Sequence, residues 1–190
     1  MKKIILFILV CFVSSTFVHG QCKVKDKGAY LKGIEKRIPI EIDFITKPRV
    51  LFDKYFVAAT NTFAKTTDGE YYFIIPFGRA YSSKFELNED TPIIFYLEDG
   101  EELSLNPDGN IEGKMVLTTF SIFLYYKISK EQVEKLATKN IISLRIYFIS
   151  EKEIADTFED DLGRYYEFEI HSDKYRTNVF DAANCILQIN

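Results

Sequence analysis

Apolar and polar residues alternate with a period of two through many short runs of this chain, the spacing that sends successive side chains to opposite faces of a β-strand. Over 36–45, Ile38, Ile40, Ile42 and Phe44 alternate with Pro39, Glu41 and Asp43. This predicts a half-buried strand, with Pro39 at its start or on a sheet edge because proline has no N–H to give to a ladder. The runs 49–60 and 62–65 are the next candidate pair, and Asp68-Gly69 turns the chain into a strong strand at 70–77. Runs at 84–87 and 92–97 follow, joined through Asn88-Glu89-Asp90. Asp99-Gly100 is a tight-turn signal, because glycine tolerates positive φ. It returns the chain into 101–105, with Leu103 and Leu105 on one face. After the loop Asn106-Pro107-Asp108-Gly109-Asn110, the run 114–127 is rich in Thr, Phe, Ile and Tyr and has no helix caps, so it predicts one long central strand that bends.

The organisation changes at Ser129. Ser129 and Gln132 have the spacing of a capping box, each able to satisfy a free backbone N–H at a helix start. Val133, Leu136 and Ala137 form one apolar face, and Asn140 is a left-handed stop, so a helix is predicted over 130–139. Strand character returns at 141–149, with Ile142, Leu144, Ile146 and Phe148 on the apolar face, and at 165–170, with Tyr166, Phe168 and Ile170 alternating against Glu167 and Glu169. Ser172 or Asp173 then caps a helix running to about residue 187, whose buried face carries Tyr175, Val179, Ala182, Ala183 and Ile186, with Phe180 beside them. Many short strands predict a mainly β fold, an antiparallel β-sandwich or a partly closed barrel with two short helices. An α+β two-layer sheet is the alternative. Strands and helices do not alternate regularly, which argues against a parallel α/β fold.

The first twenty residues change the picture of where such a domain works. Lys2 and Lys3 precede ten apolar residues, Ile4 to Val13, and Val18-His19-Gly20 offers modest side chains to a peptidase. This is the pattern of a secretory signal peptide, and its apolar core falls short of the ~20 residues a membrane helix needs. The expected working chain is 21–190, a single β-rich domain, secreted or periplasmic, with no transmembrane segment. Lipid anchoring at Cys22 is the alternative, disfavoured because Gln21 is not the small residue that modification wants. Loss of Lys2 and Lys3 takes the 24 basic residues to 22 against 28 acidic, a formal charge of −6. Such a surface repels phosphate, so nucleic acid is not an expected partner. Cys11 leaves with the signal, while Cys22 and Cys185 remain in a compartment where disulfides persist; their pairing would tie the last helix to the first strand.

Candidate chemistry is sparse. His171 is the one histidine of the expected mature chain, which removes the two-histidine HExxH zinc pattern, and GxSxG, GxGxxG and Walker loops are absent. A His171-centred site would make the chain an extracytoplasmic hydrolase, with no partner for the histidine identifiable; a capping or surface histidine is the simpler reading. The 106–112 loop places oxygen ligands at alternate positions, but Leu117 stands where a calcium loop needs glutamate, so no metal site and no cofactor are expected. Asp156, Glu159, Asp160 and Asp161 form an acidic stretch read as a solvated loop, with calcium or a basic partner as the alternative. The adjacent pairs Tyr71-Tyr72, Tyr125-Tyr126 and Tyr165-Tyr166 lie in predicted strands, where one ring of each faces outward. The outward rings are candidates for a binding surface toward a protein or glycan.

The signal, the Ile/Lys/Tyr/Phe-rich composition, the strand end Tyr96-Leu97-Glu98-Asp99-Gly100 and the helix entry Ile128-Ser129-Lys130-Glu131-Gln132 resemble those of small exported, uncharacterised β-rich proteins of Bacteroidota. The resemblance spans about residues 22–148 and rests on texture. It implies a cell-envelope setting and transfers no catalytic or binding residue. The expected function is a noncatalytic extracytoplasmic module that binds or organises a protein or cell-surface component.

Overall fold

A computed structural model describes residues 40–54, 57–80, 86–112, 114–116, 119–150 and 157–189. The expected signal peptide, Cys22 and the start of the first predicted strand lie outside them. Thirteen strands and two helices are seen among the described residues, and all strand pairings are antiparallel. Two main sheets share one continuous core, and neither closes into a barrel.

The first sheet holds β1 (Phe44–Ile45), β2 (Arg49–Lys54), β3 (Val57–Lys65), β4 (Tyr71–Ala80), β9 (Lys114–Val116) and β10 (Thr119–Ile128). β1 and β2 lie end to end along one edge of β3. Pro48, which has no N–H, sits in the gap between them. Thr46 bridges that gap: its N–H donates to Phe63 O at 2.9 Å and its hydroxyl accepts from Phe63 N at 2.9 Å. The β3–β4 turn has Gly69 at φ 83°, a conformation that a residue with a Cβ adopts only with strain.

The second sheet runs β12 (Phe158–Asp160), β13 (Gly163–Glu169), β11 (Ile141–Phe148), β6 (Ile93–Leu97), β7 (Glu102–Leu105). Gly100, also at φ 83°, makes the predicted β6–β7 turn, and in β7 Leu103 and Leu105 are buried while Glu102 and Ser104 are exposed. β5 (Glu86–Leu87) and β8 (Ile111–Glu112) form a separate small pair. The sheets meet through aromatic rings: Phe73 of β4 lies 5.0 Å from Phe63 and 5.3 Å, edge to face, from Phe95 of β6. Three fully buried phenylalanines in contact supply much of the apolar area that holds the two layers together.

Helix α1 (Lys130–Leu136) begins with the predicted capping box: Gln132 N donates to Ser129 Oγ at 3.2 Å, and Ser129 N donates to Gln132 Oε1 at 2.9 Å. It ends at Leu136 with Ala137 as cap, earlier than the predicted stop at Asn140. Asn140 instead ties the helix exit to the β6–β7 turn, its side-chain amide donating to Glu98 at 3.0 Å. Helix α2 (Asp173–Leu187) buries Val179, Ala182, Ala183 and Ile186 as its spacing predicts.

Three further expectations are corrected. The run 114–127 is two strands, because β9 turns back on β10 with Val116 opposite Thr119. Ile142 is exposed, because a bulge between Ile141 and Ser143 puts Ile141 into the core and leaves Leu144, Ile146 and Phe148 in phase behind it. The expected Cys22–Cys185 disulfide is withdrawn: among the described residues no two Sγ atoms lie at bonding distance. Cys22 lies outside those residues, and Cys185 is buried and not a free thiol. Noncovalent contacts hold α2 against the first sheet and the exit of α1. Arg49 pairs with Asp181 at 2.9 Å, Asn178 donates to Val50 O at 2.6 Å, Lys65 donates to Ile189 O at 2.8 Å, and Asn184 donates to Ala137 O at 2.8 Å.

Candidate functional site

The inner face of the second sheet is committed to the core. Leu103, Leu105, Ile93, Phe95, Leu97, Leu144, Ile146, Phe148, Tyr166 and Phe168 are all buried there. Residues of the opposite parity make the other face, where Ile94, Tyr147 and Tyr165, with Tyr96 packed against them, form a second, smaller cluster. Register brings these side chains together: Arg145 stands opposite both Glu167 and Ile94, Tyr147 opposite Tyr165, and Phe158 opposite Tyr165.

Arg145 is the centre of this face. Its guanidinium lies 4.7 Å from the Tyr165 ring and 5.3 Å from the Tyr96 ring. Its Nε donates to Glu167 Oε1 at 3.2 Å, and its Nη1 is 3.7 Å from Asp160 Oδ2. Each cation–π contact is worth about 0.5–1 kcal/mol where solvent reaches it. Partial burial opposes the Arg145 charge, but hydrogen bonding with Tyr147 and Glu167 prevails and its pKa is raised. The Tyr147 hydroxyl donates to Asp160 Oδ2 at 2.8 Å; burial first, and then this carboxylate, push its pKa up to about 12. The same Asp160 accepts from Leu162 N at 2.9 Å through Oδ1, holding the β12–β13 turn.

A row of rings crosses three strands, Tyr147 to Tyr165 at 5.0 Å and Tyr165 to Phe158 at 5.7 Å. It ends at solvent, because Phe158 is 55% exposed and Leu162 in the adjoining turn 57%. The acidic stretch expected as a loop is therefore a hairpin. Phe158–Asp160 is strand, Glu159 pairs with Arg164 at 3.1 Å, and Asp160 serves Tyr147 and Arg145; Asp156 lies outside the described residues. Among the described residues there is no group of three or more His, Cys, Asp or Glu side chains fit to hold a metal ion.

The tyrosine pairs are placed differently from the expected outward surface. Tyr72, Tyr125, Tyr126, Tyr165 and Tyr166 are buried, leaving only Tyr71 part-exposed, with Lys65 Nζ 5.6 Å from its ring centre. Both faces of the first sheet are covered at these positions: Phe63 and Phe73 are buried on the side of Tyr126, and Ala64 and Ile74 on the side of Tyr72 and Tyr125. The Tyr72 hydroxyl donates to Glu70 at 3.2 Å; burial, and then Asp108 beside it, raise its pKa. Lys127 bonds the same Glu70 and holds that carboxyl below its usual value. His171 is 83% exposed in its side chain, with Nε2 3.4 Å from Glu169 Oε2, and no hydrogen bond joins it to a hydroxyl among the described residues. The 106–110 loop is held by backbone, with Asp108 N donating to Tyr125 O at 3.1 Å.

Sequence reasoning missed Arg145, Tyr147, Glu167 and Phe158 as a group. The available signal was the second phase of the β11 alternation, which sets Arg145 and Tyr147 together on the face opposite Leu144, Ile146 and Phe148. No protein family, no curated protein and no solved structure matches the chain. Among the described residues no helix is long and apolar enough to cross a membrane.

Proposed function

We propose that the chain is a noncatalytic binding module, working outside the cytoplasm on a protein or cell-surface component, and that it docks through the β12–β13 edge of its second sheet. The observation that carries this reading is the pair Phe158 and Leu162, two large apolar side chains more than half exposed on one short hairpin. Behind them the Tyr165, Tyr147 and Arg145 cluster is held by Asp160 and Glu167. Aromatic and arginine side chains on a rigid support are the composition of interface anchors, since little side-chain entropy is left to lose on contact. The extracytoplasmic setting rests on the signal-like residues 1–20 and on the resemblance to exported Bacteroidota proteins.

The test compares the wild type with a Phe158→Ser/Leu162→Ser variant in the cells that make the protein. After chemical crosslinking, the wild type is expected in a discrete complex of higher mass and the variant outside it. Wild-type protein that stays uncomplexed, or a variant found in the same complex, contradicts the reading.

A further inference from the structure

We infer that the outer edge of β12 takes an extended, basic segment of a partner protein as an added strand; this rests on the docking reading above and names the partner's chemistry. β12 ends the order of its sheet, and among the described residues only β13 pairs with it. The free edge of such a strand presents backbone N–H and C=O groups in the spacing that another extended chain matches.

The charges on this edge select the partner. Glu159, Asp160 and Asp161 are consecutive, so two copies pairing β12 to β12 would set like charges against one another across the new ladder. A second copy of this chain is thus disfavoured, and a cationic segment is favoured. The face already accommodates one cation, since Arg145 rests on the Tyr165 ring between Asp160 and Glu167. Phe158 extends that row of rings by one strand, more than half exposed, and Asp160 two residues on shares its face of β12. An incoming arginine or lysine meets the exposed Phe158 ring there on the Asp160 side of the strand, with Asp161 exposed in the adjoining turn, and Leu162 offers an apolar contact for the residue alternating with it. The predicted partner segment alternates basic and apolar residues.

The probe is a synthetic peptide of about eight residues alternating arginine and valine, titrated into the full chain and followed by backbone amide shifts. A peptide with glutamate in place of arginine is the control. The inference predicts shifts concentrated on 157–165, weakening with added salt, and no response to the glutamate peptide. Affinity is predicted to fall at least about tenfold in Phe158→Ser/Leu162→Ser and in Asp161→Lys, a variant at an exposed turn position. Absence of binding, equal binding of the glutamate peptide, unchanged affinity in both variants, or shifts centred elsewhere would overturn it. So would self-association of the chain that produces the same shifts without peptide. If the complex in cells depends on Phe158 and Leu162 while the arginine peptide fails, the basic-segment inference falls and the docking reading stands. If the peptide binds as predicted but no such complex forms in cells, the docking reading falls.

Discussion

Removing one oxygen from the core is expected to make this protein more stable. The Tyr126 side chain is fully buried, and among the described residues its hydroxyl has no hydrogen-bond partner. It lies on the Phe63 and Phe73 side of β10, opposite Phe73, so its surroundings are aromatic. A buried polar group without a partner costs about 1–3 kcal/mol relative to one left in water. Tyr126→Phe removes that cost and keeps the ring. The void left by one oxygen offsets only about a few tenths of a kcal/mol at ~24 cal/mol per Å³. The net expectation is a gain of about 1–2 kcal/mol, or a rise in Tm of about 2–4 °C per kcal/mol for a chain of this size. Tyr147→Phe is the internal control, because it removes a hydroxyl that donates to Asp160 at 2.8 Å. A bond to a carboxylate contributes about 1.5–3 kcal/mol when buried, and the partial exposure of Asp160 reduces the expected loss to about 1 kcal/mol. Urea unfolding of the wild type and both variants, with equal m-values, measures the two effects with opposite sign. A Tyr126→Phe variant that loses about 1 kcal/mol or more would refute the reasoning, since its hydroxyl would then have a partner.

Other consequences follow from the same contacts. Phe73→Ala opens a cavity where the two sheets meet and is expected to cost about 3–5 kcal/mol, read by denaturant unfolding; a cost below about 1 kcal/mol would mean the sheets do not share this core. Ser129→Ala removes the side-chain acceptor from the α1 capping box and should cost about 1 kcal/mol, with amide exchange rising first at the start of the helix. Bonds from Lys135 and Lys139 hold the Glu101 carboxyl below its ordinary 4.5, and Lys139 does the same to Asp99 below 3.8. These are depressed acids, so their stabilisation is present above the ordinary values and is lost as pH falls through the lower folded ones. Carboxyl-carbon NMR is expected to give midpoints below 4.5 and 3.8; midpoints at those values would mean the bonds to lysine are not held in solution.

Much of the fold was legible because local chemistry and tertiary contacts agree. The alternation of β7, the capping box of α1 and the apolar face of α2 each depend on a handful of neighbouring residues, and each is where the pattern put it. The misreadings occur where distant contacts decide. Leu117-Thr118 carries no turn chemistry, yet the chain reverses between Val116 and Thr119, so 114–127 reads as one strand. Ile142 belongs to the apolar series by spacing alone, until the bulge beside it shifts the phase by one. A tyrosine pair in a strand predicts one exposed ring only if one face of the sheet is open, and sequence carries no direct record that both faces around Tyr72 and Tyr126 are covered. The candidate site was the least legible part. Arg145, Asp160 and Glu167 converge only through the register of three strands, and a run of acidic residues reads as a solvated loop until that register makes Asp160 the partner of Tyr147.

Photo-crosslinking in the cells that make the protein reads out whether the β12–β13 edge is where a partner docks. A photoreactive residue replaces Leu162 in one variant and Thr67, in the β3–β4 turn of the other sheet, in a second. One discrete adduct is expected from position 162 and none of that mass from position 67. No adduct at 162, or the same adducts from both positions, would contradict it.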